Sequence, residues 1–283
     1  MGLHSPFWGS PSSKANFCEE DYLVTKYIAE FVNTLTNLAY VLYAIYGLRQ
    51  LRRKSNVDFF RALPYWGLMA VGICSGIFHT SLHYHTQMMD DLSMLFTTTP
   101  VLHRVLTVNS DRRNSSLTAI ILASALAIVV AYHMATDELL LHSVTFVASI
   151  FIIGVRTIQL INTRVPGNSV TRTQIWGMVR FGAVIFHLGY AVWILDGWVC
   201  GFLRSSRRAI GLPWAFLLEL HGWWHIFTGI GAYIFIAVID YLVSDDEHLD
   251  VEGSFAWPAA WASQSIFAGM GSSSRGEAAK KQE

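Results

Sequence analysis

Charge is what this sequence has least of. Only 14% of its 283 residues are Asp, Glu, Lys or Arg, against about a quarter in an ordinary soluble domain. Twenty basic residues balance twenty acidic ones, so no global field draws the chain to nucleic acid, and no basic-aromatic stretch supplies a local one. The first residues lack the apolar stretch between a basic start and a cleavage site that marks a cleaved signal peptide. No repeat with a period of roughly 20–50 residues runs through the chain. What is abundant is apolar surface, at 53% of residues. Low charge with high apolar content over this length points to a polytopic membrane protein.

Seven apolar segments approach the roughly 20 residues a bilayer requires. They run over 31–49, 63–83, 88–107, 117–135, 139–161, 176–197 and 214–243, and no soluble domain fits between them. The expected fold is therefore an all-α integral membrane protein of seven transmembrane helices. Residues 1–30 precede it, 31–243 form the helical domain, and a tail over 244–283 is expected to be disordered. With the amino terminus outside, fifteen Lys and Arg fall on the inner side and five on the outer. That bias predicts a lumenal amino terminus and a cytosolic carboxyl terminus.

Ionisable side chains inside spans are costly and mark function by default. One group lies in "CSGIFHTSLHYHTQMMDD", with Ser75, His79, Asp90 and Asp91; the other is "ELHGWWHIFTG", with His221 and His225. Spacing of i, i+4 stacks two imidazoles on one helical face. His79, late in the second span, matches their depth, and three histidines at one depth suit a zinc site with a fourth position open. His83 and His85 lie too near the surface. The plainer reading, helix–helix hydrogen bonding or an aromatic belt around the tryptophans, competes for each histidine alone. Asp90 is the better-placed proton acceptor, since Asp91 points about 100° away around the helix, and Ser75 is a candidate oxyanion donor. Such parts suit hydrolysis of an amide or ester in a lipid.

The amino-terminal "NFCEEDYLVTKYIAEFVNT" gathers Glu19, Glu20 and Asp21, with Glu30 at the mouth of the first span. Taken alone, the run reads as a solvated tail. It is no EF-hand, because the twelve-residue pattern and its glycine are missing. Cys18 and Cys200 both fall on the oxidising side, which permits a disulfide that spacing does not prove. Asp196 in "WILDGWVC" reads either as a solvent-facing helix-end group or as a partner of the histidine site.

"WGSPSSKANFCEEDYLVTKYIAEFVNTLTN", "GIFHTSLHYHTQMMDD", "WILDGWVC" and "ELHGWWHIFTGIGAY" closely resemble the alkaline ceramidases, the fungal phytoceramidase and dihydroceramidase branch above all. The resemblance covers residues 7 to 245 in colinear order. It implies a seven-helix amidase that cleaves ceramides to a sphingoid base and a fatty acid. It further implies zinc on His79, His221 and His225, a catalytic Asp90 and an active-site Ser75. It also implies calcium dependence, with ligands at Asn16, the Phe17 carbonyl, Glu19, Asp21 and Glu30. Asn16 stands where relatives carry Asp, and Asp21 where some carry Asn, an exchange that conserves formal charge. Calcium would then order the outer cap and couple to zinc through packing, with no ligand in common. The terminal "KKQE" matches a di-lysine signal for the endoplasmic reticulum membrane, the Golgi being the other compartment considered. A zinc-bearing receptor of the adiponectin-receptor type is the rival reading, as is a transporter, although the Gly/Pro-broken helices of transporters are absent. Oligomeric state stays open.

Overall fold

The computed structural model describes residues 5–54, 58–244 and 255–269. The elements are all helical: α1 (Phe31–Thr36), α2 (Leu38–Leu51), α3 (Phe59–Ser81), α4 (Tyr84–Leu106), α5 (Arg112–Thr136), α6 (Leu139–Arg164), α7 (Val170–Trp198), α8 (Cys200–Ile210), a 3₁₀ turn (Trp214–Leu218) and α9 (Leu220–Val243). Two short helices, Ala259–Gln264 and Ile266–Gly269, follow. Among the described residues, six helices are long and apolar enough to cross a membrane, α1 and α2 counting as one. The protein is a multi-pass membrane protein. The third expected span, α4, is a helix of 23 residues, but its histidines, aspartates and threonines leave it less apolar than the six.

Local chemistry sets most boundaries. Asp58 accepts the Arg61 N–H at 2.7 Å and Ser169 the Arg172 N–H at 3.1 Å, so each caps its helix. Helix α3 ends where Leu82 turns left-handed at φ 53°. That conformation costs about 1–2 kcal/mol for a side chain with Cβ. Full burial of Leu82 offsets it, as do two bonds to its carbonyl from Ser12 N (3.0 Å) and Ser13 N (3.1 Å). The same turn therefore pins the amino-terminal segment to the bundle.

Helix α9 is the hub, with 67% of its apolar window buried against 6% for α5. A hydrophobic helix buried all round is core, whereas one exposed all round belongs against lipid. Close approach depends on glycine at two places. A Cβ at Gly72 would lie 2.8 Å from the Asn37 carbonyl, and one at Gly222 2.9 Å from Val32. Both contacts draw the helices that carry the histidines onto α1 and α2. At the far end of α9, Asp240 accepts from Arg61 (2.8 Å), Lys54 (3.0 Å) and Arg104 (3.2 Å), tying the segment after α2 to α3, α4 and α9.

Two expectations need correction. The helix expected over 214–243 begins at Leu220, because Trp214–Leu218 forms a separate 3₁₀ turn behind Pro213. Residues 255–269 are ordered where disorder was expected: Ala259 and Ala262 are buried, and a Cβ at Gly177 of α7 would meet the Ala262 carbonyl at 2.5 Å. The notch left by that glycine gives the short helices a seat that composition alone does not show. The terminal KKQE lies outside the described residues.

Candidate metal centre

His79 sits in the last turn of α3, and His221 and His225 occupy successive turns at the start of α9. Their ring nitrogens come together, one from each residue, within 4.8 Å of one another. All three side chains are buried. The rings are oriented from behind: Glu30 Oε2 meets His79 Nδ1, and Thr36 Oγ1 lies 3.0 Å from His225 Nδ1. His79 Nε2 and His221 Nδ1 are buried without a hydrogen-bond partner. Buried polar atoms are rarely left so, and orphaned imidazole nitrogens facing one another fit a metal ion. His83 is elsewhere, bonded to Ser12 and the Trp8 carbonyl.

Ser75 lies one turn before His79 on α3 and is buried. Its side chain lies beside the Asp90 carboxyl of α4. Asp91, one residue on, turns away and bonds His133 at 3.1 Å, as its different helical angle predicts.

The acidic segment folds over this centre. Ala29 N donates to the Thr80 carbonyl at 3.0 Å and Glu30 N to the His79 carbonyl at 2.9 Å. The strand-like approach to α1 thus satisfies the end of α3 and delivers Glu30 to His79. Glu19 caps α1, its two oxygens accepting from Val32 N (2.7 Å) and Asn33 N (2.9 Å), where the helix dipole favours an anion. Phe17 N donates to Glu30 Oε1 at 3.2 Å, Asn33 Nδ2 to Glu30 Oε2 at 3.3 Å, and Asn16 Nδ2 to Asp21 Oδ2 at 3.3 Å.

Burial pushes Glu30 up to about 8 and Glu19 up to about 7, and raises Asp21 as well. Asp21 Oδ1, Asn33 Oδ1 and Asp196 Oδ1 are buried acceptors without donors. Desolvated carboxylates with spare acceptor oxygens fit a hard cation.

Two contacts were not legible from the sequence, and a third, that of Asp196, stood open between two readings. The ring of Phe17, a residue expected to act through its backbone carbonyl, stacks on His221 with centroids 3.7 Å apart. Asn33 holds Glu30. Asp196 is buried, not solvent-facing; it accepts from Cys18 N at 3.0 Å and lies beside the His221 backbone. Glu30 also joins the cap to His79 by a hydrogen bond, a more direct link than packing. Cys18 and Cys200 form a disulfide, and Arg207 donates to the Cys18 carbonyl at 2.6 Å and to Glu219 at 2.6 Å. Cys18→Ala is expected to lower stability by about 2–5 kcal/mol, read as a fall in thermal midpoint that reductant reproduces in the parent; a midpoint unmoved by either would make the bond incidental.

A bundle of membrane helices around buried histidines able to hold a metal, with a serine–carboxylate pair beside them, defines a multi-pass membrane hydrolase. The Ceramidase family model matches residues 9–267. Alkaline ceramidase YPC1 of Saccharomyces cerevisiae is 28% identical over 88% of this chain and 83% of its own length. Alkaline ceramidase 3 of Mus musculus is 28% identical over 81% and 84%, and an alkaline ceramidase of Arabidopsis thaliana 24% identical over 81% and 83%. The chain belongs to the ceramidase family; it is a ceramidase, a hydrolase of sphingolipid metabolism.

Proposed function

We propose that the chain cleaves the amide bond of ceramides, phytoceramide or dihydroceramide among them, to a sphingoid base and a free fatty acid. The site is a zinc ion on His79, His221 and His225, within seven membrane-spanning helices and beneath a lumenal amino terminus. The observation that carries this reading is the convergence of orphaned imidazole nitrogens beside the Ser75–Asp90 pair. Zinc bound there would polarise the amide carbonyl and acidify a water molecule. Asp90 takes the proton from the attacking water and returns it to the departing amine nitrogen. Ser75 holds that carboxyl in place and turns its hydroxyl toward the carbonyl oxygen as charge develops. Thr36 and Glu30 keep the histidine rings in position.

The same reading places calcium in the amino-terminal loop, on Asn16, the Phe17 carbonyl, Glu19, Asp21 and Glu30. The fit rests on the buried carboxylates of Glu19 and Glu30 and on the unpaired, buried Asp21 Oδ1 beside them. Calcium there would neutralise the cluster and order the loop whose Phe17 ring lies on His221. The same reading takes the enzyme as an endoplasmic reticulum membrane protein with a cytosolic carboxyl terminus, the orientation resting on the positive-inside bias.

The test is fatty acid release by purified protein from ceramide, dihydroceramide and phytoceramide, with and without a metal chelator. Release from none of the three would sink the reading. Glu30→Gln keeps the shape and removes the charge shared by cap and His79. It is expected to lower turnover about 10- to 100-fold and to abolish the response to added calcium, followed as hydrolysis across a calcium titration. A calcium response equal to the parent's would remove Glu30 from the site.

A further inference from the structure

Helix α5 is exposed along nearly its whole length, and its one buried residue is ionisable: His133. Burying an imidazole on a lipid-facing helix is costly without partners, and here the partners are specific. His133 Nε2 lies 3.1 Å from Asp91 Oδ2, and Nδ1 lies 3.0 Å from the Glu138 carbonyl. Both ring nitrogens face oxygens that accept, an arrangement that only the doubly protonated ring satisfies in full.

Asp91 is gripped from two further sides. His142 Nε2 of α6 donates to its backbone carbonyl at 2.7 Å. Gln87, one turn earlier on α4, donates to Asp91 Oδ2 at 3.4 Å and to Asp137 Oδ1 at 3.0 Å. The Gln87 carbonyl in turn accepts from Lys14 N (3.0 Å) and Ala15 N (3.3 Å), and Lys14 Nζ pairs with Asp137 at 3.3 Å. Every hydrogen-bonding group of this buried amide is used. Four parts of the chain, namely the amino-terminal segment, α5, the α5–α6 turn and α6, therefore close on one turn of α4. That turn carries Asp90.

We propose that His133 and Gln87 are positioning residues, which act through Asp91 to hold Asp90 at its angle to Ser75. The proposal rests on the reading of Asp90 as the catalytic carboxyl. The groups facing His133 are Asp91 from α4, Asp137 and Glu138 from the α5–α6 turn, His142 from α6 and, beyond Asp137, Lys14. When the imidazolium loses its proton on raising the pH, one of its two bonds is lost and the parent moves toward the state of a His133 variant.

The test compares parent, His133→Gln, Gln87→Met and Asp90→Asn as full-length purified proteins in one ceramide-hydrolysis assay, with zinc content measured on each. Displacing a reacting group by a fraction of an ångström to an ångström costs roughly ten- to a hundredfold, and kcat of both positioning variants is expected to fall in that range. KM should stay within about twofold, as only the orientation of a reacting group has changed, and zinc content should match the parent's. The defect of His133→Gln should be largest at low pH and narrow as pH rises, whereas that of Gln87→Met stays constant. Parental kcat in both variants, with Asp90→Asn inactive, would overturn the proposal alone. Parallel loss of zinc, KM and kcat would make the residues merely structural and overturn it too. Full activity of Asp90→Asn would overturn the underlying assignment instead.

Discussion

Asp90→Asn is expected to lose about 10²–10⁴-fold in turnover, the usual worth of a positioned acid–base group, with fold and zinc content intact. The substitution is nearly isosteric and keeps an acceptor for the Ser75 hydroxyl, so packing between α3 and α4 should survive. What disappears is a group able to take a proton from water and hand it to the departing nitrogen. Ceramide hydrolysis and zinc content measured on the same sample decide the matter. Turnover close to the parent's would show that another group moves the proton.

The largest effect on metal is expected from His221→Ala. Two histidines are left from a set of three, the Phe17 ring loses the imidazole on which it stacks, and a cavity opens at the start of the central helix. Most zinc should be lost and turnover should fall below detection, because three protein ligands are the usual minimum for a catalytic zinc site. Elemental analysis against His83→Ala is the control, as His83 lies outside the cluster and should keep its metal. Full zinc occupancy in His221→Ala would dismiss the assignment.

The two outcomes lean on different kinds of information. Membrane spans were readable because hydropathy is local: each segment must be apolar over its own length, whatever its neighbours do. Against that background an ionisable residue stands out, and the i, i+4 pair His221–His225 needs only the helical period to share a face. The quoted motifs then carried the resemblance from which the ceramidase reading follows, and they named Ser75, His79, Asp90 and the acidic loop without coordinates.

Composition could not say which helix lies at the centre. Helices α5 and α9 are similarly apolar, yet one faces outward and the other is enclosed. The difference comes from small residues such as Gly222, whose neighbours belong to other helices. The hydrogen bond between His79 and Glu30 joins positions 49 apart, and the His133–Asp91 pair joins positions 42 apart. No local periodicity links such pairs. They meet because buried polar atoms must find partners wherever packing brings one within reach, and only the assembled bundle determines which partner that is.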